Sequence, residues 1–177
     1  MISLVLDQSS TNTGWALVID GEVSKEHHGR IKPKGNKDIL CRLRFLRVEL
    51  ERLLFNLDST VGRVNEIVLE NNLTAGKKSW QAAYGISSAI YVCQDFAWER
   101  DIPFFMQNQS TIKSRFTGNG NSKKQTIMEL VEEIYGIKPL CDNHADAIAG
   151  ATVWVELGQY IRAGIEPPKV MKKRKTA

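Results

Sequence analysis

At 177 residues, 42% hydrophobic and 25% charged, the chain has the size and composition of one folded domain around a sizeable core. That composition excludes a disordered or collagenous chain and a large two-domain machine, and no apolar run approaches the ~20 residues of a membrane span. The net charge of +4 is unevenly placed, because Lys169, Lys172, Lys173, Arg174 and Lys175 crowd the last nine residues. Without them the body is near neutral, so residues 1–165 read as the folded domain and 166–177 as a basic tail, an arm suited to a polyanion. Cys41, Cys93 and Cys141 are far apart and form no C-x-x-C pair, which predicts a reduced, cytoplasmic setting and no structural zinc.

Met1 to Asp7 meets an acid at once and carries no basic leader, so it reads as a strand and not as a secretory signal. Ile2 to Leu6 and Trp15 to Ile19 are β-type runs separated by the turn-rich stretch from Asp7 to Gly14. Asp20-Gly21 is a hairpin signal, and a third strand follows from about Glu22 to Ile31. Leu43, Leu46, Leu50, Leu53 and Leu57, with Ile39, recur at spacings of three and four on one face of a long helix. Arg42, Arg44, Arg47, Glu51 and Arg52 take much of its remainder.

Val64 to Glu70 reads as a buried strand that ends in an acid, and residues 78–99 as a helix made lean by alanine, glycine and serine. Ile102 to Met106 is a short strand, with Pro103 favouring an edge. Gln107 to Asn121 is polar and reads as irregular. Ser122-Lys123-Lys124-Gln125 matches a capping box, Gly136 is placed to end the helix it opens, and a small-residue helix runs from Asp142 to about Arg162. The order β-β-β-α-β-α-β-α-α predicts an α/β domain: a mixed five-stranded sheet, three strands antiparallel and then two parallel, flanked by helices.

In such a sheet Asp7 and Glu70 end two neighbouring strands, where α/β folds place ligands. Asp146 lies on a helix of Ala, Ile and Gly that faces inward. A carboxylate continuing a core segment is costly to bury alone, so three of them on three elements point to shared work. Asp142 is also a natural helix N-cap, and His144 reads as core or surface rather than ligand. Several carboxylates with no nucleophilic triad suit Mg²⁺ or Mn²⁺, and two such ions hydrolyse a phosphodiester by stabilising the attacking and leaving oxygens.

The segments Asp7-Gln8-Ser9-Ser10-Thr11-Asn12-Thr13-Gly14-Trp15, Glu70 after an apolar strand, and His144-Ala145-Asp146-Ala147 together resemble RuvC-type Holliday junction resolvases, of bacterial or phage type, in the ribonuclease H-like superfamily. The likeness runs from Met1 to about Val155. It implies a homodimer that cuts opposed strands of a four-way DNA junction with Mg²⁺ or Mn²⁺, two ions per site, held by Asp7, Glu70 and Asp146. The family's fourth ligand falls three residues before the last Asp, here Asn143; Asp142, four before Asp146, is taken as the ligand and Asn143 as the reserve. The resemblance places Lys113 and Lys124 at the scissile phosphate on either side of Gly118-Asn119-Gly120, and Leu73 as an apolar wedge at the junction centre. Lys77, Lys78, Arg115 and Lys123 would add DNA contacts, and the lean helix would carry the dimer contact. Three alternatives stay open: a broader branched-DNA nuclease, a non-catalytic junction binder, and a fragment of an actin-like ATPase suggested by Leu6 to Thr11.

Overall fold

In the computed structural model, which describes residues 1–35, 38–71 and 80–168, a five-stranded sheet separates two layers of helices. The strands are β1 (Ile2–Asp7), β2 (Thr13–Ile19), β3 (Glu22–Ile31), β4 (Glu66–Asn71) and β5 (Phe104–Asn108). The helices are α1 (Ile39–Thr60), α2 (Trp80–Trp98), α3 (Gln109–Thr117), α4 (Lys124–Tyr135) and α5 (Asp142–Arg162). The strand order is β3-β2-β1-β4-β5, with β1, β2 and β3 antiparallel and β4 and β5 parallel to β1, as the order of elements predicts. β5 is an edge strand, as expected, and it starts one residue after Pro103, two residues later than the predicted Ile102.

The period of two in the strands sorts side chains between the layers. Leu4, Leu6, Leu17, Ile67 and Leu69 pack against the leucine stripe of α1 and against Ala89, Cys93 and Phe96 of α2. Val5, Ala16, Val18 and Val68 turn the other way, onto Ile148, Trp154 and Leu157 of α5, with Ile112 of α3 and Ile127 and Val131 of α4. α5 lies close to the sheet because its inner face is small; a Cβ on Gly150 would stand 3.3 Å from Val5 Cγ1.

Three local expectations change. Residues 109–117 form a helix where an irregular segment is expected: Ile112 is the single fully buried residue of α3, with only Phe116 packed beside it, and two apolar positions are too few to register as periodicity. The capping box does not form, because Ser122 Oγ meets Thr117 Oγ1 at 2.6 Å and Lys123 becomes the N-cap of α4 without a side-chain hydrogen bond. The N-cap of α5 is Cys141, which leaves Asp142 in the first turn, where its charge suits the helix dipole. Gly136 ends α4 at φ 69, as expected.

At the far end of the sheet from Asp7, the buried Glu66 carboxylate accepts from Ser3 Oγ at 2.6 Å, Trp154 Nε1 at 2.8 Å, and Arg162 Nε and Nη2 at 2.8 and 2.6 Å. Desolvation alone would raise its pKa, but the hydrogen bonds from Arg162, Ser3 and Trp154 hold it below its ordinary value. This network clamps the C-terminal half of α5 to β1 and β4. Glu66→Ala strands a guanidinium and an indole N–H, and is expected to cost roughly 3–5 kcal/mol in urea unfolding. A loss under about 1 kcal/mol would show that packing alone seats the helix.

Candidate active site

The parallel ladder from Ser3 opposite Glu66 to Leu6 opposite Leu69 brings Asp7 and Glu70 to adjacent strand ends. Gln8 holds those ends together: its Nε2 donates to the Glu70 carbonyl at 2.6 Å, and its Oε1 accepts from the Glu70 N–H at 3.2 Å. α5 supplies Asp146 from the second layer. Asp7, Glu70 and Asp146 are 4%, 4% and 6% exposed.

The approach of α5 depends on Gly14, which pairs with Asp7 across β1 and β2. A Cβ there would stand 1.9 Å from the Asn143 carbonyl oxygen and 2.7 Å from the His144 N–H nitrogen. The bare backbone of β2 therefore touches the first turn of α5 and fixes which side chain of that turn meets Asp7. That side chain is Asn143, whose Nδ2 donates to Asp7 Oδ2 at 2.7 Å. Asp142 turns instead to Lys124, whose Nζ pairs with its Oδ2.

A cleft of about 620 Å³ opens over these groups, with Asp7, Asn143 and Asp146 at its base. Lys113 and Lys124 stand on one wall with Gln109; Arg42, Gln81, Gly85 and Ile86 line the other, and Gln8 to Thr11 form the loop at the rim. Gly85 again permits close approach, since a Cβ there would lie 3.1 Å from Ser10 Oγ. Another hollow, of about 500 Å³, lies between α1 and the segments around Val64 and Ile102 and mixes Glu51 and Asp58 with Arg63 and Arg100. It gathers acids and bases that offset one another, so the first cleft is the candidate site.

Burial pushes the Asp146 carboxyl up to about 6, against the pull of Lys124 and Lys113. Desolvation would lower the Lys124 ammonium, but Asp142, with Asp146 and Asp7 beyond it, outweighs this and holds it above its ordinary value. The Lys124 hydrogen bond in turn holds Asp142 low. His144 is sealed in the core: its Nδ1 accepts from the Leu140 N–H at 3.0 Å, so a neutral ring donates through Nε2 to His28 Nδ1 at 2.9 Å. Burial, with His28 and Arg30 nearby, takes its pKa down to about 4.

Among the described residues, no three His, Cys, Asp or Glu side chains stand close enough to hold an ion by themselves. The cleft is lined by the carboxylates of Asp7 and Asp146 and by the Asn143 carboxamide, whose oxygen would have to turn from Asn12 to reach an ion. Such a set fits a hard dication that keeps water and substrate phosphate among its ligands, and does not fit a closed cage. The structure thus brings together Asp7, Asp146, Lys113 and Lys124 in one cleft, sets Glu70 beside Asp7 on the next strand, and aims Asp142 at Lys124. Arg115 is held by Glu156 and the Pro168 carbonyl, and Lys123 stands exposed at the start of α4. Leu73, Lys77, Lys78 and the tail from Lys169 lie outside the described residues. Arg42, Gln81 and Gln109 escape the sequence reading; Arg42 in particular looks like one more cation on a solvated helix face.

The fold and the cleft define a ribonuclease H-like domain with an acidic centre between cationic walls. The family model for crossover junction endodeoxyribonuclease RuvC matches residues 4–154. The RuvC protein of Rickettsia typhi is 26% identical over 159 residues, covering 89% of this chain and 97% of that protein. That of Ehrlichia ruminantium is 29% identical over 138 residues, covering 75% and 82%. The structure of Thermus thermophilus RuvC in complex with Holliday junction substrate superposes with a TM-score of 0.69 at 20% identity, over 96% of this chain and 99% of that one. The chain belongs to the crossover junction endodeoxyribonuclease RuvC family. Divalent-metal dependence is general to that family.

Proposed function

We propose that this protein resolves four-way DNA junctions by divalent-metal-dependent hydrolysis of opposed strands. The observation that carries this reading is the placing of two buried carboxylates, Asp7 and Asp146, at the base of a cleft walled by Arg42, Lys113 and Lys124, in a chain of the RuvC family. Asp7, Asp146 and Asn143, with Glu70 beside them, would hold Mg²⁺ or Mn²⁺, two ions by the family's chemistry. The metal, when bound, supplies Lewis acidity and a water of lowered pKa. Lys113 and Lys124 face the phosphate from one wall and offset charge that develops on its oxygens. Arg42 grips the same backbone from the opposite wall, so a strand in the cleft is held on both sides. Asp142 keeps the Lys124 ammonium charged and aimed along that wall.

The experiment compares cleavage of four-way, three-way and linear duplexes with Mg²⁺ and with Mn²⁺. Paired nicks in opposed strands of the four-way substrate are expected; equal cutting of all three would replace the proposal with a general branched-DNA nuclease, and no cutting with a non-catalytic binder. Lys113→Ala should lower the single-turnover rate by roughly 10²-fold while weakening junction binding only a few-fold. An unchanged rate would remove Lys113 from the phosphate.

A junction resolvase needs two sites, and α2 offers the face for pairing. Tyr84, Tyr91 and Trp98 are 42%, 68% and 79% exposed and stand seven residues apart, on one stripe with Trp80. Trp80 and Tyr84 stack with ring centroids 5.3 Å apart. Exposed aromatics at this spacing are the anchors of a helix-to-helix contact. Tyr91→Arg is expected to give a monomer by light scattering, with paired nicking lost; a variant that stays dimeric would place the interface elsewhere.

A further inference from the structure

Asn12 lies in the loop between β1 and β2, one hydrogen bond away from the cleft residues. Its Nδ2 stands 3.0 Å from Cys141 Sγ and 3.4 Å from Asn143 Oδ1, while Asn143 gives its own Nδ2 to Asp7 Oδ2 at 2.7 Å. The two amides therefore run head to tail toward Asp7. Direction matters, because an amide has a donor end and an acceptor end. As arranged, Asn143 shows Asp7 an N–H, which satisfies a carboxylate but cannot ligate a cation; its oxygen points away, at Asn12. Asn12 Oδ1, meanwhile, is buried and has no hydrogen-bond partner among the described residues.

Reversing both amides together changes the end that Asn143 shows to Asp7 and keeps the two amides bonded to each other. Asn143 Oδ1 then faces the Asp7 side, and Asn12 Oδ1 accepts from Asn143 Nδ2 and from the Cys141 thiol. Reversing only Asn143 sets two donors face to face, and reversing only Asn12 sets two acceptors face to face, so the pair turns as a unit. In the reversed sense, Asn143 Oδ1 and Asp7 Oδ2 are two acceptors side by side, an arrangement that a divalent cation between them favours. We propose that Asn12 and Asn143 form a coupled amide pair whose direction follows divalent-cation occupancy, with Asn12 the positioning residue that turns the Asn143 oxygen to the ion. This rests on the reading of the cleft as a cation site.

The test is calorimetric titration of the full chain with Mn²⁺, alongside the side-chain ¹⁵NH₂ signals during titration with Mg²⁺. Asn12→Ala should weaken Mn²⁺ binding about tenfold, the usual scale for a group that orients a ligand. Asn12→Asp can only accept, so it draws Asn143 Nδ2 toward itself and should tighten binding. In an Asn143→Ala background that gain should disappear; a gain that persists there is plain charge attraction and overturns the coupling. In the wild-type protein, which needs no variant to fold, the Asn12 and Asn143 side-chain signals should move together with Mg²⁺. Movement of Asn143 alone, or an Asn12→Ala variant with unchanged affinity, rejects the inference while leaving the cation site standing. A wild-type protein that takes up no Mn²⁺ rejects both.

Discussion

Asp146→Asn is expected to lose junction cleavage by on the order of 10³-fold while making the protein more stable. The first effect follows from removing an anionic oxygen from the cleft base, and junction binding should stay within a few-fold of normal. The second follows from the Asp146 pKa, which burial raises to about 6 from its ordinary value of 3.8. The folded state holds that proton more tightly than the unfolded chain does, so wild-type stability falls as pH climbs from about 4 to about 6 and is level above. A neutral amide escapes this cost. The gain should reach roughly 2–3 kcal/mol above pH 6 and shrink to nothing near pH 4. His144 runs in the opposite sense: its folded pKa of about 4 lies below its ordinary 6.5, so stability is lost as pH falls through that window. In the wild type the two slopes oppose each other between about pH 4 and 6, and in Asp146→Asn the histidine slope is no longer offset by Asp146. Urea midpoints from pH 4 to 8 read both; a variant no more stable than wild type at pH 8 would mean that Asp146 is well solvated.

Among the described glycines, Gly14 is where an added methyl should cost most. The added carbon meets the backbone oxygen of Asn143 at 1.9 Å, its carbonyl carbon at 2.4 Å and the nitrogen of His144 at 2.7 Å, and a backbone cannot swing aside as a side chain can. The start of α5 must move by about an ångström, which carries Asn143 and Asp146 away from Asp7. A loss of roughly 3 kcal/mol is expected in denaturant unfolding. Cleavage by the fraction still folded should drop about 10²-fold, the scale on which misplaced reacting groups fail. Near-wild-type stability and activity together would show that α5 does not depend on this contact for its seat.

Much of this arrangement is written plainly in the residues. Apolar runs at Ile2–Leu6 and Ile67–Leu69 specify two central strands, and an acid at the end of each marks where a ligand would sit. The leucine stripe of α1 and the small face of α5 settle which helices lie on the sheet. What escapes the residues is rotation. Asp142 and Asn143 are neighbours in sequence, and both share a helical face with Asp146, so spacing alone does not choose between them. The choice is made by a glycine more than a hundred residues earlier, through backbone contact. Arg42 is hidden for a related reason, since whether an arginine on α1 points at solvent or into the cleft depends on where α2 and the loop from Gln8 to Thr11 lie. α3 is hidden because Ile112 is its one fully buried residue and only Phe116 beside it also packs on the core.

Gln8 has a mechanical consequence. Its carboxamide presents one donor and one acceptor to the main chain of Glu70, as another residue of a strand would, and so lengthens the β1–β4 ladder by one rung without using backbone. The tips bearing Asp7 and Glu70 thereby become one stiff plate instead of two fraying ends. Converting that carboxamide to a carboxylate sets an anion against the Glu70 carbonyl and parts the tips, and faster amide hydrogen exchange at Glu70 would report the loosening even where the rest of the sheet keeps its protection.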